Sequence, residues 1–335
     1  MTRKRINCLT NLGSISSPFQ IAFFFNIVYG EYNLSSEDIM ENFRNYFKQD
    51  KRVKGLVLCL LLCFIPFFSD AASIKEVSQS VERVKSIEPP VQFAILGDSR
   101  DGKRVYTQLV QKILERKPHF IIHLGDMISK PSEKEWEEFF EISKAIDIPF
   151  FPVIGNHEVA GTTRGEEIYR KQFILPEGKT YYSFQAGGSL FVILDSEKGE
   201  GRIIDDQWSW LKSRLFSSNE IFKMVFLHRP LFLPMDSFKT GRAMDKYPAE
   251  RDHLHQLFMK AGVKAVFAGD DHRYDRREKD RILYLITGGG GAPIYTFKNS
   301  GGYFHFVWIS VQGGRMEGEV VDLNGEIQDR FVIGD

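Results

Sequence analysis

Short apolar runs recur along residues 91–335, and nearly every one stops at a glycine or a polar turn. VQFAILG at 91–97, HFIIHLG at 119–125 and the run at 150–154 read as buried strands. Between them, 105–116 and 133–146 carry the wider spacing of amphipathic helices. This alternation implies parallel strands joined by right-handed crossovers. Further on, 181–184 and 190–194 form a hairpin at Gly187-Gly188, followed by helix 206–216, strand 223–227, helix 249–261 and strand 263–268. The tail is almost wholly β, at 282–286, 303–311, 315–322 and 327–333. A parallel first half and an antiparallel second half predict an α/β fold with two mixed sheets facing each other and helices outside.

The N-terminal quarter follows a different pattern. Residues 1–39 show no clear periodic element, only an apolar patch at 21–25. A basic stretch at 51–54, an apolar run at 55–68 and small residues through Ala71-Ala72 match a secretory signal. That run is shorter than the ~20 residues a spanning helix needs. Met40 supplies a normal start, so 1–39 is expected to be a non-native upstream extension, 40–72 the signal peptide, and 73–90 a linker or surface helix ending in Pro89-Pro90. The expectation is an exported protein, anchored to a membrane only if the signal stays uncleaved. Residues 91–335 then form the working domain.

Composition narrows the chemistry. Lys plus Arg and Asp plus Glu number 44 each, so the net charge is zero and no basic stripe marks a nucleic-acid surface. The cysteines are Cys8, Cys59 and Cys63, which excludes a disulfide framework and a thiolate metal site in the domain. The 29 Phe residues fall mostly in apolar runs, as core packing would place them.

Five strand ends share one grammar: Gly97-Asp98-Ser99-Arg100, Gly125-Asp126, Gly155-Asn156-His157-Glu158, His228-Arg229-Pro230 and Gly269-Asp270-Asp271-His272. In open α/β sheets ligands bind at the carboxyl edge of the strands, so these ends would gather Asp98, Asp126, Asn156, His228, Asp270 and His272 around one point. Carboxylates, an amide oxygen and imidazoles suit borderline divalent metals such as Mn, Fe or Zn. Six such groups are too many for one tetrahedral zinc with an open position, and they suit two metals bridged by a carboxylate.

The order and placement of these motifs resemble the calcineurin-like metallophosphoesterase family, of the purple-acid-phosphatase-like superfamily, over about residues 91–335. Its pattern is D-x-H, GD, GNH-D/E, a lone His and G-H-x-H, and GNHE at 155–158 is the most specific match. The resemblance implies a four-layer αββα sandwich and hydrolysis of a phosphate ester by a metal-activated hydroxide. It implies two divalent ions: Asp98 and His272 on the first, Asp126 bridging, and Asn156, His228 and the residue at 270 on the second. His157 would contact phosphate and assist the leaving group, with Glu158 orienting it.

Two positions depart from the family. Arg100 replaces the D-x-H histidine; guanidinium cannot ligate a metal, though it suits a bidentate phosphate contact. Asp270 replaces the first His of G-H-x-H, adding negative charge and favouring harder metals. These two residues favour an alternative, a degenerate member that binds phosphate or a partner without turnover. The joint presence of the other ligands with His157 argues for an enzyme, and the neutral charge argues against a nuclease. Of the remaining candidates, His123 reads as a core histidine, and His253 and His255 point apart on a helix. Tyr274 and Arg276 are placed at the substrate pocket, and Gly288–Gly291 either cradles phosphate or forms a turn.

Overall fold

The computed structural model describes residues 74–334. The expected upstream extension and export signal lie outside the described residues. Among the described residues no helix is long and apolar enough to cross a membrane.

The first sheet is built on three parallel strands, β1 (Val91–Leu96), β2 (Phe120–His123) and β3 (Phe150–Pro152). Helices α2 (Lys103–Glu115) and α3 (Glu133–Ile142) make the crossovers. Ahead of them, in the stretch read as linker or surface helix, lies α1 (Val77–Val84), whose Val77 and Val84 are buried in the core. After β3 come the one-turn α4 (Asn156–Val159) and α5 (Thr163–Gln172).

The second sheet contains β4 (Tyr182–Ala186), β5 (Ser189–Ile193), β6 (Phe222–Leu227), β7 (Ala265–Ala268), β8 (Tyr274–Lys279) and β9 (Ile282–Thr287). Helices α6 (Asp205–Ser217) and α7 (Pro248–Ala261) connect its parallel strands. The tail strands β10 (His305–Gln312), β11 (Arg315–Asp322) and β12 (Ile327–Ile333) follow.

Strand order is β12-β11-β10-β1-β2-β3 in one sheet and β4-β5-β6-β7-β9-β8 in the other. Both sheets are therefore mixed, as the sequence predicts, though the chain does not divide into a parallel and an antiparallel half. The antiparallel tail joins the first sheet, with β10 pairing against β1, while β5, β6, β7 and β9 run parallel inside the second. Local alternation tells a strand's faces but not its partner, so the return of β10 to β1 is a tertiary choice.

The side-chain period of two sorts the faces. On β5, Phe191 and Ile193 point between the sheets, while Leu190 and Val192 pack in a second apolar cluster with Leu211, Leu215 and Leu254 of α6 and α7. Between the sheets Phe184 stacks on Phe191 at 4.7 Å, and Phe93 meets Phe191 edge-on at 5.3 Å. Phe120 contacts Phe184 at 5.6 Å. Each ring buried here is worth about 1.5–3 kcal/mol, and that seam packs one sheet's face against the other's.

Candidate metal centre

Because β1, β2 and β3 are parallel, as are β6, β7 and β9, their carboxyl ends emerge along one edge. The turns beyond them are tied to one another. Asp98 N donates to Gly125 O at 2.9 Å, and Gly269 N donates to His228 O at 3.0 Å. Asp270 N donates to Asp98 Oδ2 at 3.0 Å, joining the two sheets' edges. Asp98, Asp126 and Asp270 all take left-handed backbone, with φ of 59°, 55° and 65°. Aspartate tolerates that region because its short side chain can hydrogen-bond locally.

Six of the expected residues converge in two neighbouring groups. One ligand atom each from Asp98, Asp126 and His272 lies within 4.8 Å of the other two, and all three residues are buried. Asp98 Oδ1, Asp126 Oδ2 and His272 Nε2 have no hydrogen-bond partner. In the second group, His228 Nε2 stands 3.1 Å from Asn156 Oδ1, 3.3 Å from Asp126 Oδ1 and 3.7 Å from Asp270 Oδ1.

The histidine rings are set by backbone carbonyls, which only accept. His272 Nδ1 donates to Pro293 O at 2.6 Å, His228 Nδ1 to Leu124 O at 2.7 Å and His157 Nδ1 to Ser129 O at 2.8 Å. Each bond fixes the proton on Nδ1 and turns Nε2 inward, the outer support that metal-binding imidazoles use. Three buried ligand atoms without hydrogen bonds, His272 Nε2 and Asp98 Oδ1 facing each other at 3.5 Å, therefore fit a divalent cation in the first group. Burial opposes charge on His228, yet Asp126, then Asp98 and Asp270, raise its pKa to about 9. A metal in the second group would displace that proton.

His157 is the one imidazole of the three with substantial exposure, 29% of its side chain, and its Nε2 lies 3.8 Å from Asp126 Oδ2. Arg100 Nε faces the same oxygen at 3.5 Å, while its Nη1 bonds Asp101 at 2.7 Å. Beside them a cavity of about 470 Å³ is lined by Ser99, Arg100, Met127, Ser129 and Lys130.

Glu158 is not where the sequence places it. Its carboxylate accepts from the backbone N–H groups of Gly155, Asp126, Met127 and Ile128, and Ser129, not Glu158, holds the His157 ring. The sequence carried the signal for this: a glutamate three residues past the helix-capping glycine reaches back to that glycine's N–H.

Tyr274 and Arg276 are also displaced from their expected role, since both bond Asp329 in a separate cavity of about 520 Å³. His123 is a core residue, bonded to Ser99 Oγ at 3.0 Å, and burial lowers its pKa to about 3. His255 bonds Tyr284 and Asp280, while His253 packs at a tilt against Trp208. The Gly288–Gly291 run is a close-packed support. A Cβ at Gly288 would lie 2.3 Å from Asp271 O and 2.9 Å from Asp98 Oδ2.

Sequence reasoning missed Lys239, whose Nζ meets Asp270 Oδ1 at 2.5 Å. It lies in the loop after β6, where no motif announces it.

A carboxylate and imidazole cluster at the carboxyl edge of two facing mixed sheets defines a class of metal-dependent α/β hydrolases. The calcineurin-like phosphoesterase family model matches residues 91–274, more than half of the chain, and the chain belongs to that family. Among similar proteins is the human serine/threonine-protein phosphatase CPPED1, 32% identical over 187 residues, covering 51% of this chain and 59% of that protein. The zebrafish (Danio rerio) CPPED1 is 32% identical over 221 residues, covering 59% and 69%. Purple acid phosphatase 13 of Arabidopsis thaliana is 27% identical over 209 residues, covering 60% of this chain and 35% of that one. The chain thus spans 59% of the length of its human relative. The solved structure of purple acid phosphatase PPD1 from yellow lupin shares the fold with a TM-score of 0.63 at 20% identity, covering 75% of this chain and 55% of that one.

Proposed function

We propose that this protein hydrolyses a phosphate monoester, with a divalent metal held by Asp98, Asp126 and His272. The observation that carries the reading is the buried group of Asp98, Asp126 and His272, which offers three ligand atoms within 4.8 Å of one another and an oxygen or nitrogen on each residue that makes no hydrogen bond. A bound divalent ion supplies Lewis acidity, polarising the phosphoryl group and lowering the pKa of water.

The chain's own residues do the rest. Asp126 Oδ1 accepts the backbone N–H of His157 at 3.0 Å, which sets that residue against the cluster. With its Nδ1 proton given to Ser129, His157 can carry a second proton on Nε2 and donate it to the departing oxygen. Arg100, at the cavity wall, offers guanidinium N–H groups to the phosphate. The names of the CPPED1 relatives support a phosphorylated Ser or Thr side chain as the substrate. Export rests on the sequence of residues 40–72 alone and is proposed on that basis.

The test is hydrolysis of chromogenic phosphate mono- and diesters by the chelator-treated full chain, before and after adding Mn or Zn. Metal-dependent monoester turnover that falls about 10²–10⁴-fold in His157→Ala is the expected result. Turnover that survives chelation, or an unaffected His157→Ala, overturns the mechanism. A second reading, phosphate binding without turnover, is favoured by the pairs Arg100–Asp126 and Lys239–Asp270, which already engage two of the carboxylates. Phosphate binding with no turnover under any metal would establish it.

A further inference from the structure

In the second ligand group the cation is already there. Lys239 enters from the loop after β6, and its ammonium contacts Asp270 Oδ1 at 2.5 Å, the oxygen that stands 3.7 Å from His228 Nε2. Its side chain is 20% exposed and Asp270 is 2% exposed, so the pair is largely removed from water.

The placement is built rather than incidental. Ser237 Oγ accepts the backbone N–H of Lys239 at 3.0 Å and donates to Asp271 Oδ2 at 2.6 Å, so the loop is pinned to the Asp270–His272 turn. Lys239 O accepts from Arg242 N at 2.8 Å, which closes the loop behind it. Asp271, adjacent to two ligand positions, thereby acquires a use: it fixes the segment that delivers the ammonium.

Charge points the same way. The family's pattern sets two carboxylates and neutral imidazoles against two divalent ions, leaving the centre net positive by two charges. Here the Lys239 ammonium is already paired with Asp270, so a second divalent ion would be set beside a cation in place in a buried site, where uncompensated charge is costly. Asp270, the departure from the family pattern in this group, fits one substitution: an ammonium bound by a carboxylate in place of a metal bound by an imidazole.

We propose that Lys239 takes the place of the second metal, so that this protein is a one-metal member of its family, with its ion at Asp98, Asp126 and His272 and the Lys239 ammonium as the second cation of the centre. This rests on the metal-binding part of the functional reading and is separable from turnover.

The experiment is metal stoichiometry on the full chain, loaded with Mn or Zn, freed of excess ion and measured by elemental analysis, with hydrolysis followed on the same preparations. One tight equivalent per chain is expected in the native protein, and its loss in Asp98→Asn assigns it to the first group. Lys239→Met, which keeps length and removes charge, is expected to admit a second equivalent. Lys239→Met with Asp270→His, which restores the family imidazole at a backbone position His tolerates, is expected to bind it more tightly. Two equivalents in the native protein overturn the proposal and leave the phosphatase reading intact. One equivalent in the native protein and in both variants also overturns it, because Lys239 would then exclude nothing. One equivalent without any ester hydrolysis supports the proposal and defeats the functional reading instead.

Discussion

Glu158→Gln separates two explanations of why a glutamate follows the site histidine. The carboxylate serves four backbone donors: Oε2 accepts from Gly155 N at 2.7 Å and Asp126 N at 2.9 Å, and Oε1 accepts from Met127 N at 2.7 Å and Ile128 N at 3.3 Å. An amide keeps one oxygen and turns an NH₂ toward the other two donors. A buried N–H left without an acceptor costs about 1–3 kcal/mol, so two cost roughly 2–6 kcal/mol. Part of this returns because Gln buries no charge; burial, and then the negative charge of Asp126, push the Glu158 carboxyl up to about 7. The net loss should therefore lie near 2–3 kcal/mol by the same scale. In equilibrium urea unfolding that lowers the midpoint by about 1 M for a typical dependence on denaturant. Because the same oxygens hold the backbone of Asp126, metal affinity should fall as well. The refuting result is an unchanged urea midpoint together with a pH–rate profile displaced as in His157 variants. That pair of outcomes would show that the carboxylate acts on the His157 ring after all.

Two more predictions test the supports of the site. Gly288→Ala places a Cβ 2.3 Å from Asp271 O, and overpacking of this kind should cost about 1–3 kcal/mol in thermal or urea unfolding; an unchanged midpoint would show that the loop can retreat. His305 is buried, donates from Nδ1 to Tyr303 O at 2.9 Å and pairs through Nε2 with Thr287 Oγ1 at 3.0 Å, and burial lowers its pKa from 6.5 to about 4. The folded pKa lies below the unfolded one, so its contribution is complete above about pH 6.5 and is lost as the pH falls toward 4. At pH 5 the loss is about 2 kcal/mol, and His305→Gln should flatten the stability difference between pH 7.5 and pH 5 by about that amount. An equally steep pH dependence in the variant would assign the proton uptake elsewhere.

The site was legible in the sequence because its candidate ligands follow buried strands directly. A glycine after an apolar run announces a strand end, and parallel strands bring such ends to one edge. That logic placed Asp98, Asp126, Asn156, His228, Asp270 and His272 together without any knowledge of contacts. It could not place Lys239, which reaches the cluster from mid-loop on a long side chain, so its position depends on Ser237 and Asp271 rather than on strand register. The partner of Glu158 was misjudged because adjacency in sequence suggested His157, whereas a one-turn helix points the side chain back to its own N-terminus. Strand β8 was missed because Tyr274–Lys279 is an edge strand rich in charge, and it was the apolar runs that marked strands. The pairing of β10 with β1 joins segments more than two hundred residues apart, and no local pattern encodes it.

The left-handed backbone at Asp98, Asp126 and Asp270 bears on how such chains drift. An ordinary L-residue pays roughly 1–2 kcal/mol to sit there, so the turns admit Asp, Asn, His or Gly with least strain and resist most other residues, whatever the site is used for. A descendant that abandoned hydrolysis would still be held to those residues by its need to fold. Selection for stability alone would thus keep the acidic half of the signature looking intact. The histidines are under no such backbone constraint, since His157 and His272 have no positive φ. In a genome survey, retained aspartates at these turns report the fold, and the histidines are the positions to read for the proposed hydrolysis.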